Sequence, residues 1–409
     1  MRAAEAKEEM DMNQKGRKTL VNSAMALAAG GAAVIAQACT TLPALAAPTG
    51  ARQPTASTGW RVSASVSVRG RIAVITDVDA DSGGDAWAIG ASAGGDVSNH
   101  TVIEHWTGKA WRRVMLPARL VNRIDRRNDR LGLVGASSSR DVWIFSVKGQ
   151  YLRRIGGRWA SGRLPRQETG DLFPQTVRVF GPDDVWVLGC RARSLISLPS
   201  GCHPYAARFN GRNWRVFRLP GRGDPGEVSA LSTDDIWTII SRAGEGGPDA
   251  SAHSQVIHWN GKNWRAAPIQ PAVPPGAQLS AITAISDSDV WVGGTAPNSR
   301  HGTYELIRRW NGRAWVGVSP AGQRRNAQPF VEDLVPDGTG GVWELAITGS
   351  YDEQSRLRHF SHGHWIASTR VGWLLIQIAA VPGTDSTWGV GISKDLTRGV
   401  IVLHGRRPR

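Results

Sequence analysis

Four groups of residues in this 409-residue chain have types and spacings that chemistry can use. Cys190 and Cys202 stand close enough in sequence to close a short loop through a disulfide. The stretch PARLVNRIDRRNDR carries Arg119, Arg123, Arg126, Arg127 and Arg130, offset by Asp125 and Asp129, and Arg324 and Arg325 form a second basic run. Guanidinium groups bind carboxylate and phosphate in a planar, bidentate way. These seven arginines are therefore the candidate ligand-binding residues, and an anionic polymer is the ligand they suit. His105 and His258 are the obvious candidates for proton transfer near neutral pH, and Tyr304-Glu305 is the one Tyr-Glu neighbour pair.

What positions these groups is a repeat. The chain has 18 Trp against 7 Phe and 4 Tyr. One Trp series follows a turn: Trp87, Trp143, Trp186, Trp237, Trp291, Trp343 and Trp388, with a mean spacing of about 50 residues. A second series is Trp60, Trp111, Trp159, Trp214, Trp264, Trp315 and Trp365, and a partial third is Trp106, Trp259 and Trp310. Together they leave only Trp373 outside the pattern. Between the Trp positions run short apolar alternations that read as strands. Asp-Asp at 183–184 and 234–235, and Asp287 with Asp289, precede the Trp of the second strand, where Asp favours a turn by bonding its own backbone. Asn-Gly at 210–211, 260–261 and 311–312 joins the third and fourth strands as a tight hairpin.

Four short strands at a period near 50 predict an all-β chain, a seven-bladed β-propeller of four-stranded antiparallel blades. Trp60 precedes any complete blade, and the last unit stops after its third strand. An N-terminal strand is therefore expected to complete the last blade and close the ring, which removes the free sheet edges.

The strand-ending glycines Gly90, Gly189 and Gly293-Gly294, with the fourth-strand Trp, resemble kelch and galactose-oxidase-like propellers. The pattern D-V-W-x-x-G followed by H/R-W-N-G-x-x-W is similar to repeats in secreted propeller proteins of high-GC Gram-positive bacteria. The likeness spans roughly 59–405. It implies a fold and says almost nothing about activity.

The repeat also sorts the candidates. The series Trp belong to the core between blades. His105 and His258 have Arg154, Arg208, Arg309 and His359 as repeat equivalents, and a position that accepts His or Arg alike is a cationic strand face. A galactose-oxidase-type copper site needs a Tyr crosslinked to Cys together with clustered His, and the cysteines are better used on each other. A sialidase-type site needs a Tyr-Glu pair acting together, but alternation puts Tyr304 and Glu305 on opposite faces. Phosphate-loop, zinc-helix, nucleophile-elbow and Ca²⁺-loop motifs are missing from the sequence. The tripeptide Arg222-Gly223-Asp224 consists of ordinary turn residues. No cofactor is expected.

Export is expected from the N-terminus. Lys15, Arg17 and Lys18, an apolar run from Ala24 to Ala36 and the small-residue site Ala44-Leu45-Ala46 read as a signal peptide over 1–47. A polar linker at 48–58 and the propeller at 59–409 follow. Without the leader the net charge of +15 becomes about +14, and two cysteines remain, which suits one disulfide. A secreted monomer is expected, with no lasting membrane insertion. Export also excludes nucleic acid and favours an anionic polysaccharide, a wall polymer or an extracellular protein as partner.

The long loops, among them Arg191–His203, Ser241–Gln255 and Pro117–Arg130, all fall on one face. Function is expected there, as a non-catalytic binding or scaffold module. The enzymatic alternative is a hydrolase or lyase of extracellular polysaccharide. It requires acids with Tyr or His around the channel mouth, and the first strands offer Asp77, Asp79, Glu332 and Asp333.

Overall fold

The computed structural model describes residues 59–93, 99–125, 129–168, 170–194, 202–242, 253–298, 302–318, 329–348 and 355–405. Seven four-stranded antiparallel sheets form a seven-bladed β-propeller. The innermost strands of blades 1 to 7 are Ile72–Ser82, Leu131–Ser138, Asp171–Gly181, Asp224–Ser232, Gln278–Ser286, Pro329–Pro336 and Trp373–Ala380. Closure occurs as expected. Arg61–Val66 is the fourth strand of blade 7 and pairs antiparallel with Gly399–His404, with Arg61 opposite Leu403 and Val62 opposite Val402.

The two long Trp series meet each other. The second-strand Trp of one blade lies edge-to-face against the fourth-strand Trp of the next in five junctions among the described residues. The pairs are Trp87–Trp159, Trp143–Trp214, Trp186–Trp264, Trp343–Trp60 and Trp388–Trp111, with centroids 5.0 to 6.4 Å apart. Aromatic pairs favour this geometry because a positive ring edge faces a negative ring face. The second-strand Trp are all buried. The tryptophans therefore act as the mortar between blades.

Six of the seven second-strand Trp also carry a cationic or imidazole partner on the facing third strand, whereas Trp388 faces Leu403. His105, His258 and His359 stack on Trp87, Trp237 and Trp343, and Arg208 and Arg309 lie over Trp186 and Trp291. An Asp completes the set. His105 bonds Asp85 at 2.5 Å, Arg208 bonds Asp184 at 2.9 Å, and His258 and Arg309 bond Asp235 and Asp289, each at 2.8 Å. A histidine in such a set is structural. Two details differ from the sequence reading. The residue facing Trp143 is Arg153, one position before Arg154. The acid directly before the V/I-W pair neutralises the third-strand cation, while Asp337 does both jobs: it bonds His359 and accepts the backbone N–H groups of Thr339 and Gly341.

A β-bulge recurs in every innermost strand, for example between Ile75 and Asp77 and between Val331 and Asp333. It explains the strand-ending glycines. A Cβ at Gly90, Gly189, Gly294 or Gly391 would lie 2.0 to 2.1 Å from a carbonyl oxygen of the bulged strand. The extra residue bends the strand and leaves no room for a side chain opposite.

Candidate functional site

The innermost strands enclose an axial channel of about 810 Å³. Among the described residues its lining holds seven carboxyl groups, Asp77, Asp79, Asp81, Asp224, Glu227, Glu332 and Asp333, and a single cation, Arg178. The sequence pointed to four of the seven. Asp224, Glu227 and Asp81 were missed, because strands about 50 residues apart must close into a ring before their side chains converge.

Several of these acids clamp one blade to the next. Val134 N–H donates to Asp77 at 2.7 Å and Ala136 N–H to Asp79 at 2.8 Å, joining blades 1 and 2. Arg178 reaches across from blade 3 to Asp79 at 3.1 Å. Ile378 N–H donates to Asp333 at 2.9 Å, and Val78 N–H donates to Gln377 at 2.6 Å across the closing junction. Ala284 N–H donates to Ser229 at 2.9 Å. These groups would otherwise be unsatisfied donors on strands too far apart to pair directly, so the acids meet a structural need.

Burial dominates the electrostatics of the channel. It pushes Asp77 up to about 7, with Asp79 adding repulsion, and Asp224 up to about 6. Glu332 is pushed up to about 8 by burial and by the neighbouring Asp333. Glu227 is raised well above the carboxylate range by burial and by Asp333, while Asp333 is held at about 6. The two share a hydrogen bond in which the protonated Glu227 donates.

At the loop face the disulfide sits beside this lining. Cys190 and Cys202 are bonded with Cα atoms 5.1 Å apart, and Cys190 Sγ lies 2.9 Å from Asp224 Oδ1. The cross-link fastens the ends of the loop after the second strand of blade 3 and contributes on the order of 3 kcal/mol. Asp224 faces the channel, so Arg222-Gly223-Asp224 is not a displayed loop tip.

Three of the seven candidate arginines, Arg119, Arg123 and Arg130, lie among the described residues. Residues 118–125 form a helix, Ala118–Asp125, where the sequence suggested a loop. Leu120 and Ile124, one turn apart, are buried against Trp87 and Leu131, which leaves Arg119 and Arg123 exposed. Arg130 is half-buried at the start of blade 2. Asp129 is buried and does not offset surface charge. It accepts the N–H groups of Arg130 and Lys148 and bonds Ser146 and Gln150. Arg126, Arg127, Arg324 and Arg325 lie outside the described residues.

Tyr304 and Glu305 do take opposite faces. Tyr304 packs against the apolar core between blades 4 and 5. Glu305 turns toward blade 6, where it pairs with Arg356 at 2.8 Å and with Arg358, and Arg358 also holds Glu344. This is a buried ion cluster that ties the two blades together.

No family model matches the chain, and no curated protein matches it in sequence. Solved structures do match. YCF48 bound to D1 peptide aligns at a TM-score of 0.55 and 14% identity, covering 90% of this chain and 100% of that one. YCF48 from Cyanidioschyzon merolae aligns at 0.51 and 15%, covering 84% and 98%. The β-propeller domain of Myceliophteria thermophila Cps50 (Swd1) aligns at 0.51 and 10%, covering 85% and 100%. At these identities the likeness shows the fold, a seven-bladed propeller. No helix among the described residues is long and apolar enough to cross a membrane.

Proposed function

We propose that this protein is an exported, kelch-like binding and scaffold module that engages a segment of another protein at the loop-face mouth of its axial channel and catalyses no reaction. The observation that carries this reading is the channel: about 810 Å³, walled by strands that their own side chains clamp together. Ligand sites are pre-formed concave clefts of this kind. The disulfide at the rim and the leader-like segment at 1–47 support export. A peptide-bound propeller among the structural neighbours supports a protein partner.

The polysaccharide-cleaving alternative is weaker. No Tyr or His lies among the described lining residues, and Asp77, Asp79 and Asp333 already accept backbone N–H groups. Panning the mature protein against a displayed random-peptide library tests the binding reading. Replacing Gln175, which lines the channel, by Trp should reduce binding of selected peptides at least tenfold and leave the melting temperature nearly unchanged. Equal binding by the plugged variant would place the interaction elsewhere.

A second reading rests on Arg119 and Arg123, which the packing of Leu120 and Ile124 turns outward. The loop face then binds an anionic wall polymer or acidic polysaccharide, with Arg126, Arg127, Arg324 and Arg325 contributing. Such binding should weaken steeply with salt, because the screening length falls from about 10 Å at 0.1 M to about 3 Å at 1 M. Changing Arg123, Arg126 and Arg127 together to Ser should weaken it without lowering the melting temperature. The same loss of charge at Arg158, Arg212 and Lys262, exposed on the tight-turn face, should matter less. Equal losses would mean that bulk charge alone attracts the polymer.

A further inference from the structure

We propose that the channel seats a cationic side chain of the bound segment, a Lys ammonium or an Arg guanidinium, against Glu332, with Glu227 and Asp333 beside it. The inference rests on the reading that the channel mouth binds a protein segment, and it names the chemistry recognised there. Most of the acids around Glu332 have structural partners. Asp77, Asp79 and Asp333 hold backbone N–H groups of the next blade, and Glu227 accepts from Ile282 and donates to Asp333. Glu332 is different. The residue keeps partial exposure to the channel, but its Oε2 is fully buried and has no hydrogen-bond partner among the described residues. A buried carboxylate oxygen without a donor is costly. It must take up a proton, or the partly exposed side chain must turn so that a ligand in the channel supplies the donor.

The bulge accounts for its placement. Val331 faces Ala346 and Asp333 faces Leu345 on the neighbouring strand, so Glu332 is the extra residue. Glu332 and Asp333 are consecutive, yet both line the channel; strict alternation would have sent them to opposite faces. Glu227 falls in the corresponding bulge of blade 4. A bare metal ion is the poorer ligand. Among the described residues, three ligating groups converge within 4.8 Å only at Cys190, Cys202 and Asp224, and the two sulfurs are joined to each other. Carboxyls spread over a wider cavity suit an extended cation with several N–H donors.

The ionisable groups of the lining are Asp333 on the same strand, Glu227 and Asp224 from blade 4, Arg178 from blade 3, and Asp77, Asp79 and Asp81 from blade 1. The innermost strands of blades 2, 5 and 7 bring none to it. With Glu332 titrating near 8, a cation must displace its proton at pH 7, and binding should strengthen as pH rises toward 9.

The test uses the mature protein and two small probes, N-acetyl-arginine amide and its uncharged citrulline analogue, followed by calorimetry and NMR. The arginine probe should bind at least tenfold more tightly than the citrulline probe. Its affinity should rise several-fold from pH 7 to 9, with proton release at pH 7 seen as a dependence on buffer ionisation enthalpy. Glu332→Gln should lose about ten- to a hundredfold in affinity, the scale of a hydrogen bond to a charged group. It should melt no lower than the parent, since it removes a carboxylate that lacks a partner. Glu227→Gln should weaken binding to a lesser degree. Equal binding of the two probes, or retention by Glu332→Gln, overturns the inference. Peptides that bind the plain mouth without enrichment in Lys or Arg would also overturn it and leave the protein-binding reading standing. Conversely, specific capture of the arginine probe with no peptide binders would support the cation site and remove the protein-segment reading.

Discussion

Deleting residues 59–66 should abolish the cooperative fold. The segment supplies the fourth strand of blade 7 and pairs with Gly399–His404 along its whole length. It also carries Trp60, which is buried against Trp343 at a centroid distance of 5.5 Å. Without it the Gly399–His404 strand becomes a bare edge of apolar residues, Val400 to Leu403, all buried in the intact ring. Such an edge recruits other chains. The truncated protein should aggregate during refolding and show no sharp thermal transition by circular dichroism. Trp60→Ala isolates the packing part of the effect and should cost about 3–5 kcal/mol, as for other buried aromatic truncations. A truncation that melts like the full mature chain would show that the ring is closed by other means.

The second large effect is expected at Arg358. This guanidinium is buried between Glu344 and Glu305 and donates from Nε to Glu344 at 2.6 Å. Arg358→Met leaves two buried carboxyls facing each other, with Arg356 remaining on Glu305. Removing one member of a buried ion group costs about 3–5 kcal/mol. The penalty should depend on pH with a definite sign. Burial and the charge of Glu305 already push Glu344 up to about 7, against the pull of Arg358. A carboxyl with a raised folded-state pKa favours the native state at low pH. It loses that advantage as pH rises from its unfolded value, about 4.3, through its folded value, because the unfolded chain ionises first. The variant, whose Glu344 is raised further, should be least impaired near pH 4.5 and should weaken progressively to pH 8 and beyond. Glu344→Met added to Arg358→Met should recover much of the loss, since the Glu305–Arg356 pair survives. Denaturant melts at pH 5 and pH 8 decide the matter: a penalty that shrinks as pH rises would contradict the assignment of Glu344 as the strained group.

The same packing limits what can be read from residue order. Blade number, strand positions, ring closure and the cysteine pair follow from the sequence alone, because each rests on a local signal. Trp recurring about every 50 residues, Asn-Gly turns and a leading Trp without a blade need no knowledge of distant neighbours. The channel needs that knowledge. Its acids come from three strands, those of blades 1, 4 and 6, and a bulge in each strand resets the alternation from which facing is read, so Glu332 and Asp333 share a side and Glu227 joins them from about a hundred residues away. Asp129 reads as a surface counter-charge and is a buried acceptor, because the groups it satisfies, Ser146, Lys148 and Gln150, meet it only when blade 2 folds. The helix Ala118–Asp125 was legible in principle, since Leu120 and Ile124 stand one turn apart. Its apolar stripe gains meaning only from the core between blades 1 and 2 that it covers, and that contact turned Arg119 and Arg123 outward. Periodicity is written along the chain, whereas convergence depends on the distances that closing the ring creates.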